Sequence, residues 1–380
     1  MPNFFEFFAG GGMARAGLGP KWKCVFSNDF DHKKSAAYRA NWGEGVLKTA
    51  DIRKLKISDL PEETDLAWAS FPCQDLSLAG GGAGLRGERS GTFWPFWELM
   101  KALIRADRAP RMIVLENVCG TITSHGGDDF TAICETFESA GYRYGAIVID
   151  AAHFVPHSRP RLFVIGIHSD LTIPKSLQRT VPSKIWHPTA LRKAMANLPA
   201  KAAKPWVWWD LPDPLVRNIH LSDIVEDSPE GVSWFSASET QSLLAKMSDV
   251  NMSKVTSAQK LGKRMVGTVY KRTRLNEDGI KVQRAEVRFD EIAGCLRTPA
   301  GGSSRQIILI VEKGKVKARL ISARETARLM GLPETYKLPQ NYNEAYHLTG
   351  DGVVVPVVRH LAMSILEPIL KNNKLLKVAA

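Results

Sequence analysis

Residues 4–13 read FFEFFAGGGM: an apolar run, Phe4–Phe8, interrupted by Glu6, then Ala9 and three glycines, with a helical stretch from Met13. The run is strand-sized, and a glycine-rich turn between strand and helix lets backbone come close to a ligand with helix N–H groups aimed at it. Further short strands are predicted at Lys23–Ser27, Asp65–Ser70, Met112–Leu115, Gly145–Ile149 and Leu162–Ile167. Helical segments of crossover length bound them. The pattern predicts an α/β fold, a Rossmann-like doubly wound parallel sheet with ligands beyond the carboxyl ends of its strands. Asn28-Asp29, Phe71-Pro72-Cys73-Gln74, Glu116-Asn117 and Arg159-Pro160-Arg161 all sit at or beside strand ends. They share one rim.

The alternation stops near Ile173. From there to Asp290 the chain is studded with Pro and Trp (Trp186, Trp206, Trp208, Trp209, Trp234), and residues 260–288 hold nine Lys/Arg against three acids. This predicts a smaller, irregular, basic domain inserted over 173–341, with 1–172 and 342–380 forming the main domain. Ser322–Met330 has helical periodicity with Ser322 as its cap, and Val353–Leu370 reads as a final strand and helix. A length of 380 residues suits two domains.

Net charge is +12, from 51 basic and 39 acidic residues, which favours a polyanionic partner. No apolar run approaches the roughly 18 residues of a membrane span, and no Lys or Arg precedes Arg15 to start a signal peptide. A cytoplasmic protein is expected. The five cysteines are spread out with no zinc spacing, so neither a disulfide scaffold nor a metal is expected. No P-loop motif occurs.

Gly10–Gly12 with Asp29 nineteen residues after Gly10 suggests a nucleoside-containing cofactor, the carboxylate accepting from ribose hydroxyls; NAD and S-adenosylmethionine both fit. Cys73 follows Pro72 in a turn after a buried strand, a poor way to fill a core, whereas Cys24, Cys119, Cys134 and Cys295 read as packing residues. Glu116 is a partly desolvated carboxyl able to share a proton with a ring nitrogen. Arg159 and Arg161, two apart in extended chain, point the same way, toward the rim.

Taken in order, FFAGGG, SNDFD, FPCQDLS, LENV, HSRPR, LRTPAGGSSRQ and SARETARLMGLP resemble the DNA cytosine-5 methyltransferase family, of the single-chain prokaryotic type. The likeness spans nearly the whole chain outside 173–290, which it makes a target-recognition segment. It implies a Cys73 thiolate attacking C6 of a flipped-out cytosine, Glu116 at N3 and the exocyclic amine, Arg161 at O2, and Arg159 holding the cysteine loop and target nucleotide. It implies S-adenosylmethionine held by Phe8, Gly10, Gly11, Gly12, Asp29, Phe30, Asp51, Ile52, Pro72, Phe93, Gly352 and Val353. Duplex DNA would meet Lys263, Arg264, Lys271, Arg272, Arg274, Arg297, Ser303 and Arg305. A monomer, no membrane partner, and a separately acting cognate restriction endonuclease complete what it implies.

Several positions depart from the family pattern. Glu6 stands for the usual Asp, Met13 for a Gly, His157 for Gln, and Asp351 for the Asn of a late Gly-Asn-small-Val motif. A tRNA cytosine-5 methyltransferase is the near alternative. An NAD-dependent oxidoreductase or a non-catalytic DNA-binding module are the distant ones, and neither accounts for Cys73 with Glu116.

Overall fold

Strand β1 (Asn3–Phe7) lies inside a seven-stranded sheet in the computed structural model, which describes residues 1–72, 85, 90–275, 279–297 and 305–379. Phe4, Phe5 and Phe7 are buried although alternate side chains face opposite sides, as expected of a strand covered on both faces. Helix α1 (Met13–Leu18), β2 (Lys23–Asp29), α2 (His32–Trp42) and β3 (Leu47–Thr49) build one side. Strand β4 (Leu66–Ala69), α3 (Phe93–Arg105), β5 (Met112–Val118), α4 (Asp128–Ser139), β6 (Tyr142–Asp150) and β7 (Pro160–His168) build the other. The strand order is β3-β2-β1-β4-β5-β7-β6. The order reverses between β1 and β4, and the turns after those two strands are the glycine run and Phe71-Pro72.

The sheet is not wholly parallel. β7 runs antiparallel to both β5 and β6. Only residues 151–159 link β6 to β7, fewer than a parallel crossover needs. Sequence periodicity carries no sign of direction, so this reversal was invisible to it.

The chain forms two compact units: Met1–Asp150 with Pro160–Pro214 and Val353–Ala380, and Ala151–Arg159 with Leu215–Gly352. From sequence the main domain stops at 172, yet residues 173–214 belong to the first unit. There β8 (Gln178–Arg179) pairs with β9 (Trp208–Trp209), and α5 (Thr189–Ala196) and α6 (Ala200–Ala203) lie between them. Trp206 bridges to Tyr144, and a Cβ on Gly145 would stand 1.9 Å from the Val207 carbonyl oxygen. Only glycine permits that approach.

The second unit is regular where the sequence suggested irregularity. It contains α7 (Leu221–Ile224), α8 (Ala237–Leu244), α9 (Asp249–Lys260) and an antiparallel sheet. That sheet is formed by β10 (Met265–Leu275), β11 (Lys281–Arg288), β12 (Ile307–Glu312) and β13 (Lys315–Leu320), in the order β11-β10-β12-β13. Val255, Val269, Val287, Leu309 and Val311 lie in its core. The basic run is therefore a two-stranded ribbon. Ser322 caps α10 (Ala323–Leu329) through a reciprocal box with Glu325, as its spacing predicted. Glu325 also pairs with the fully buried Arg319 at 2.6 Å, and α11 (Tyr342–Asp351) follows.

The chain then returns to the first unit as α12 (Val355–Leu361), a π-helical turn (Ala362–Leu366) and α13 (Glu367–Ala379). A strand was expected at Val353. Instead Pro356 sits in a first helical turn, and Val357, Val358, Leu361 and Ile365 recur at helical spacing on a buried face. Gly17 of α1 packs on Val358, where a Cβ would meet the valine at 2.4 Å. By length and hydropathy the helical run Tyr342–Leu376 would pass as a membrane span. It is interrupted after Asp351, and 56% of its most apolar window is buried within the protein, the property of a core helix.

Candidate active site

At the end of β1 the backbone enters conformations that L-residues rarely adopt. Phe8, Gly10 and Gly12 have φ of 56°, 54° and 77°. For Phe8 this is strain of the kind found at ligand sites, held by the surrounding structure. Gly12 has no alternative, because a Cβ there would lie 2.3 Å from Trp42 Nε1, whose N–H donates to the Gly11 carbonyl at 2.9 Å. Gly10, by contrast, has open space above it. Its amide donates to Asp29 Oδ2 at 2.8 Å, and the Asp31 amide donates to Oδ1 at 2.8 Å. Both carboxylate oxygens keep further lone pairs for ribose hydroxyls.

Phe30, next along, is 67% exposed: a large apolar ring left in solvent beside a nearly buried carboxylate. Asp51 accepts from the Arg53 amide and leads into the buried Ile52. Phe93 is enclosed by Phe71, Trp94 and Trp97, so it backs the wall and offers no surface itself. These groups suit an adenosyl moiety: backbone amides, a ribose acceptor, an exposed ring for a base.

Beneath the glycine turn lies a group whose environment sequence reading did not foresee. Glu6 accepts from the Arg15 amide through Oε1, while Oε2 has no hydrogen-bond partner among the described residues. Burial pushes its pKa up to about 8, outweighing the helix amides and the Arg15 charge. Arg15 in turn lies 4.8 Å from the Trp42 ring and donates to the Tyr38 hydroxyl.

On the neighbouring strands, Glu116 and Arg161 meet. β5 and β7 pair Val118 with Arg161, and Arg161 Nε lies 3.2 Å from Glu116 Oε1, both side chains mostly buried. Asn117 donates to the Phe71 carbonyl at 3.1 Å, tying the end of β5 to the residue before Pro72. Nothing in the sequence marked Asn117 for this beyond its place after Glu116. Cys73 and Ser303 lie outside the described residues. Among the other cysteines, burial raises the thiol pKa of Cys24 to about 12 and of Cys119 to about 11. Both stay protonated near neutrality.

In the second unit Arg159 is buried, and its guanidinium donates to the carbonyls of Leu296, Gly350 and Gly352. These carbonyls fix its guanidinium within the second unit. His157 does what an amide would do: Nε2 accepts from the Leu296 amide at 3.1 Å, and Nδ1 reaches the Leu329 carbonyl at 3.2 Å. Of the basic residues, Lys263, Arg272, Arg274 and Arg297 are exposed, and Lys271 is half-buried. Arg264 pairs with Asp227, and Arg305 donates to Asn343 and lies against Tyr342. Gly352 ends α11, and Val353 is buried in the first unit.

A family model described as C-5 cytosine-specific DNA methylase matches residues 2–367. The chain is 28% identical to Type II methyltransferase M.BsuFI of Bacillus subtilis, over 97% of this chain and 73% of that one. It is 26% identical to M1.ScrFI of Lactococcus lactis subsp. cremoris, over 98% and 80%. Among solved structures, the Entamoeba histolytica methyltransferase EhMeth shares the fold with a TM-score of 0.62 at 15% identity, covering 97% of this chain and 99% of that one.

Proposed function

Because the chain belongs to the C-5 cytosine-specific DNA methylase family, whose reaction is methylation of cytosine C5 in DNA, we propose that it modifies one cytosine in a short duplex sequence, as the protective half of a restriction–modification or phage/host defence system acting in the cytoplasm. The observation that carries this reading is the Glu116–Arg161 pair at 3.2 Å, beside the Asn117 tether on the residue before Pro72.

Cytosine C5 is a poor nucleophile in the aromatic ring. Cys73 as thiolate forms a bond to C6, and the ring electrons move toward C5 and N3. Glu116 holds a proton at N3 and accepts from the exocyclic amine, so negative charge does not build up there. Arg161 donates to O2 on the other side. After methyl transfer, loss of the C5 proton and breaking of the S–C6 bond restore the aromatic ring. The family implies S-adenosylmethionine, which supplies an electrophilic methyl group on a sulfonium. Gly10, Gly11, Gly12, Phe8, Asp29, Phe30, Asp51 and Ile52 would hold it, with Pro72 and Val353 completing the pocket and Phe93 packed behind it. Arg159, which donates to the Leu296, Gly350 and Gly352 carbonyls, would help hold the cysteine loop and the target nucleotide.

The β10–β11 ribbon is of a shape that fits a major groove, and its exposed arginines suit phosphate. The chain is proposed to act as a monomer, any cognate endonuclease being a separate protein. Bisulfite sequencing of DNA from cells expressing the protein tests the reading: methylcytosine in one short context is expected, and none with Cys73→Ser. Methyl incorporation into tRNA alone, in parallel labelling with duplex DNA, would overturn it.

A further inference from the structure

Three consecutive glycines follow Ala9, and Gly10 and Gly12 both stand at positive φ. Glycine crosses between backbone regions at little cost, so a peptide in such a run can turn over unless something holds it. Here the strand and helix next in the chain do so. The Ala9 amide donates to the Asn28 carbonyl at 3.0 Å and the Gly10 amide to Asp29 at 2.8 Å, both at the end of β2. The peptide joining Gly11 to Gly12 is fixed at both its ends. Its N–H donates to the Ala9 carbonyl at 2.8 Å, and its carbonyl accepts from Trp42 Nε1 at 2.9 Å. The first of these bonds lies within the turn; the second ties it to α2.

Trp42 is itself set in place. It lies four residues after Tyr38, on the same face of α2, and packs against the cluster of Ala9, Tyr38 and Leu47. The Arg15 guanidinium lies over its ring, 4.8 Å from the centroid, and donates to the hydroxyl of the fully buried Tyr38 at 3.0 Å. A cation is attracted to the negative face of an indole, so the contact resists rotation of the side chain. The other end of α2 is capped by Asp31, directly after Asp29 and Phe30. One helix thus links the carboxylate that would accept from ribose to the donor that sets Gly11.

We propose that Trp42, steadied by Arg15, is a positioning residue for S-adenosylmethionine: by holding the Gly11 carbonyl toward α2 it keeps the turn in its binding shape before the cofactor arrives. The inference rests on the glycine turn being the cofactor site. Its physical basis is preorganisation, since a ligand that need not freeze a loose loop binds more tightly.

Three variants test it. W42F keeps a ring and loses the N–H, R15M loses the cation, and R15K retains it. In cofactor-free W42F, hydrogen exchange of the Gly12 amide should quicken about 3- to 10-fold, as expected for one hydrogen bond lost. The Kd of S-adenosylhomocysteine by calorimetry should rise by about the same factor. KM for S-adenosylmethionine should follow it, with kcat at saturating cofactor within about twofold of wild type. R15M should weaken binding about 2- to 5-fold, and R15K should recover most of that loss. Wild-type exchange and affinity in folded W42F would overturn the proposal, and so would faster exchange without weaker binding. A fall in kcat at unchanged KM would overturn it too, as the mark of a merely structural contact. Should W42F not fold, the arginine pair decides: equal affinities in R15M and R15K overturn it. A wild-type protein that binds no S-adenosylhomocysteine refutes the cofactor site first, and the inference with it.

Discussion

Glu6 shows how far one side chain's behaviour depends on its surroundings. Its pKa is pushed up to about 8 from an ordinary 4.5 by burial under the glycine turn. Between those values the native chain keeps a proton that the unfolded chain has lost, so stability is greatest at the acid end of the window and falls as pH rises toward 8. Urea unfolding at pH 5.5 and pH 8 should show this group alone removing on the order of 3 kcal/mol. Glu6→Gln should flatten that dependence, because the amide keeps an acceptor for the Arg15 N–H and cannot ionise. A wild-type profile as flat as the variant's would contradict the assignment. Gly12 makes a second test. With φ of 77° and Trp42 and Tyr38 under 3 Å from any Cβ, Gly12→Ala should cost at least about 1–3 kcal/mol in unfolding experiments. It should also weaken cofactor binding in calorimetry, since the same turn faces the open space above Gly10.

At the scale of elements, the β10–β11 ribbon carries an internal conflict. Arg272 lies directly opposite Arg284, and Glu286 reaches Arg272 and Arg274 but leaves Arg284 without a salt bridge among the described residues. Like charges opposite one another destabilise a sheet pair, and a phosphate between them would remove the cost. Arg284→Ala should therefore leave the thermal midpoint unchanged or slightly higher, while weakening duplex binding and lowering the salt slope by about 1. A variant with unaltered salt dependence would remove the ribbon from the DNA interface. The elements that were legible from sequence are those with a one-sided or fully buried apolar signal: β1 from Phe4–Phe8, β5 from Met112–Leu115, the capped α10 from Ser322 and Glu325. The ribbon was not, because from Lys271 to Leu275 and from Lys281 to Arg284 most side chains face solvent and leave no alternation to read. The direction of β7 was hidden for another reason: it follows from the length of the link, which resembles any other loop. Within the candidate site, the residue types announced Glu116 and the glycine turn, whereas Asn117 acts through the backbone carbonyl of a distant residue, which no local pattern records.

For the whole molecule, the first unit is assembled from three stretches of chain, and the last must return after the second unit is complete. Removing residues 353–380 strips α12 from Gly17 and takes away Arg359, which donates to the Leu18 carbonyl and pairs with Glu367. Such a truncated chain should lose cooperative unfolding by circular dichroism and all cofactor binding, even though every residue of the glycine turn remains. A truncated protein that still melts in one sharp transition would mean that α1 needs no cover. The same architecture has a corollary during synthesis. At ~5–20 residues per second, the ribosome takes roughly 7–28 seconds to pass from codon 215 to codon 352, and through that interval the outer face of α1 waits bare. Chaperones have that window in which to bind it, and a translational pause within those codons should raise aggregation of the nascent protein without changing a single amino acid.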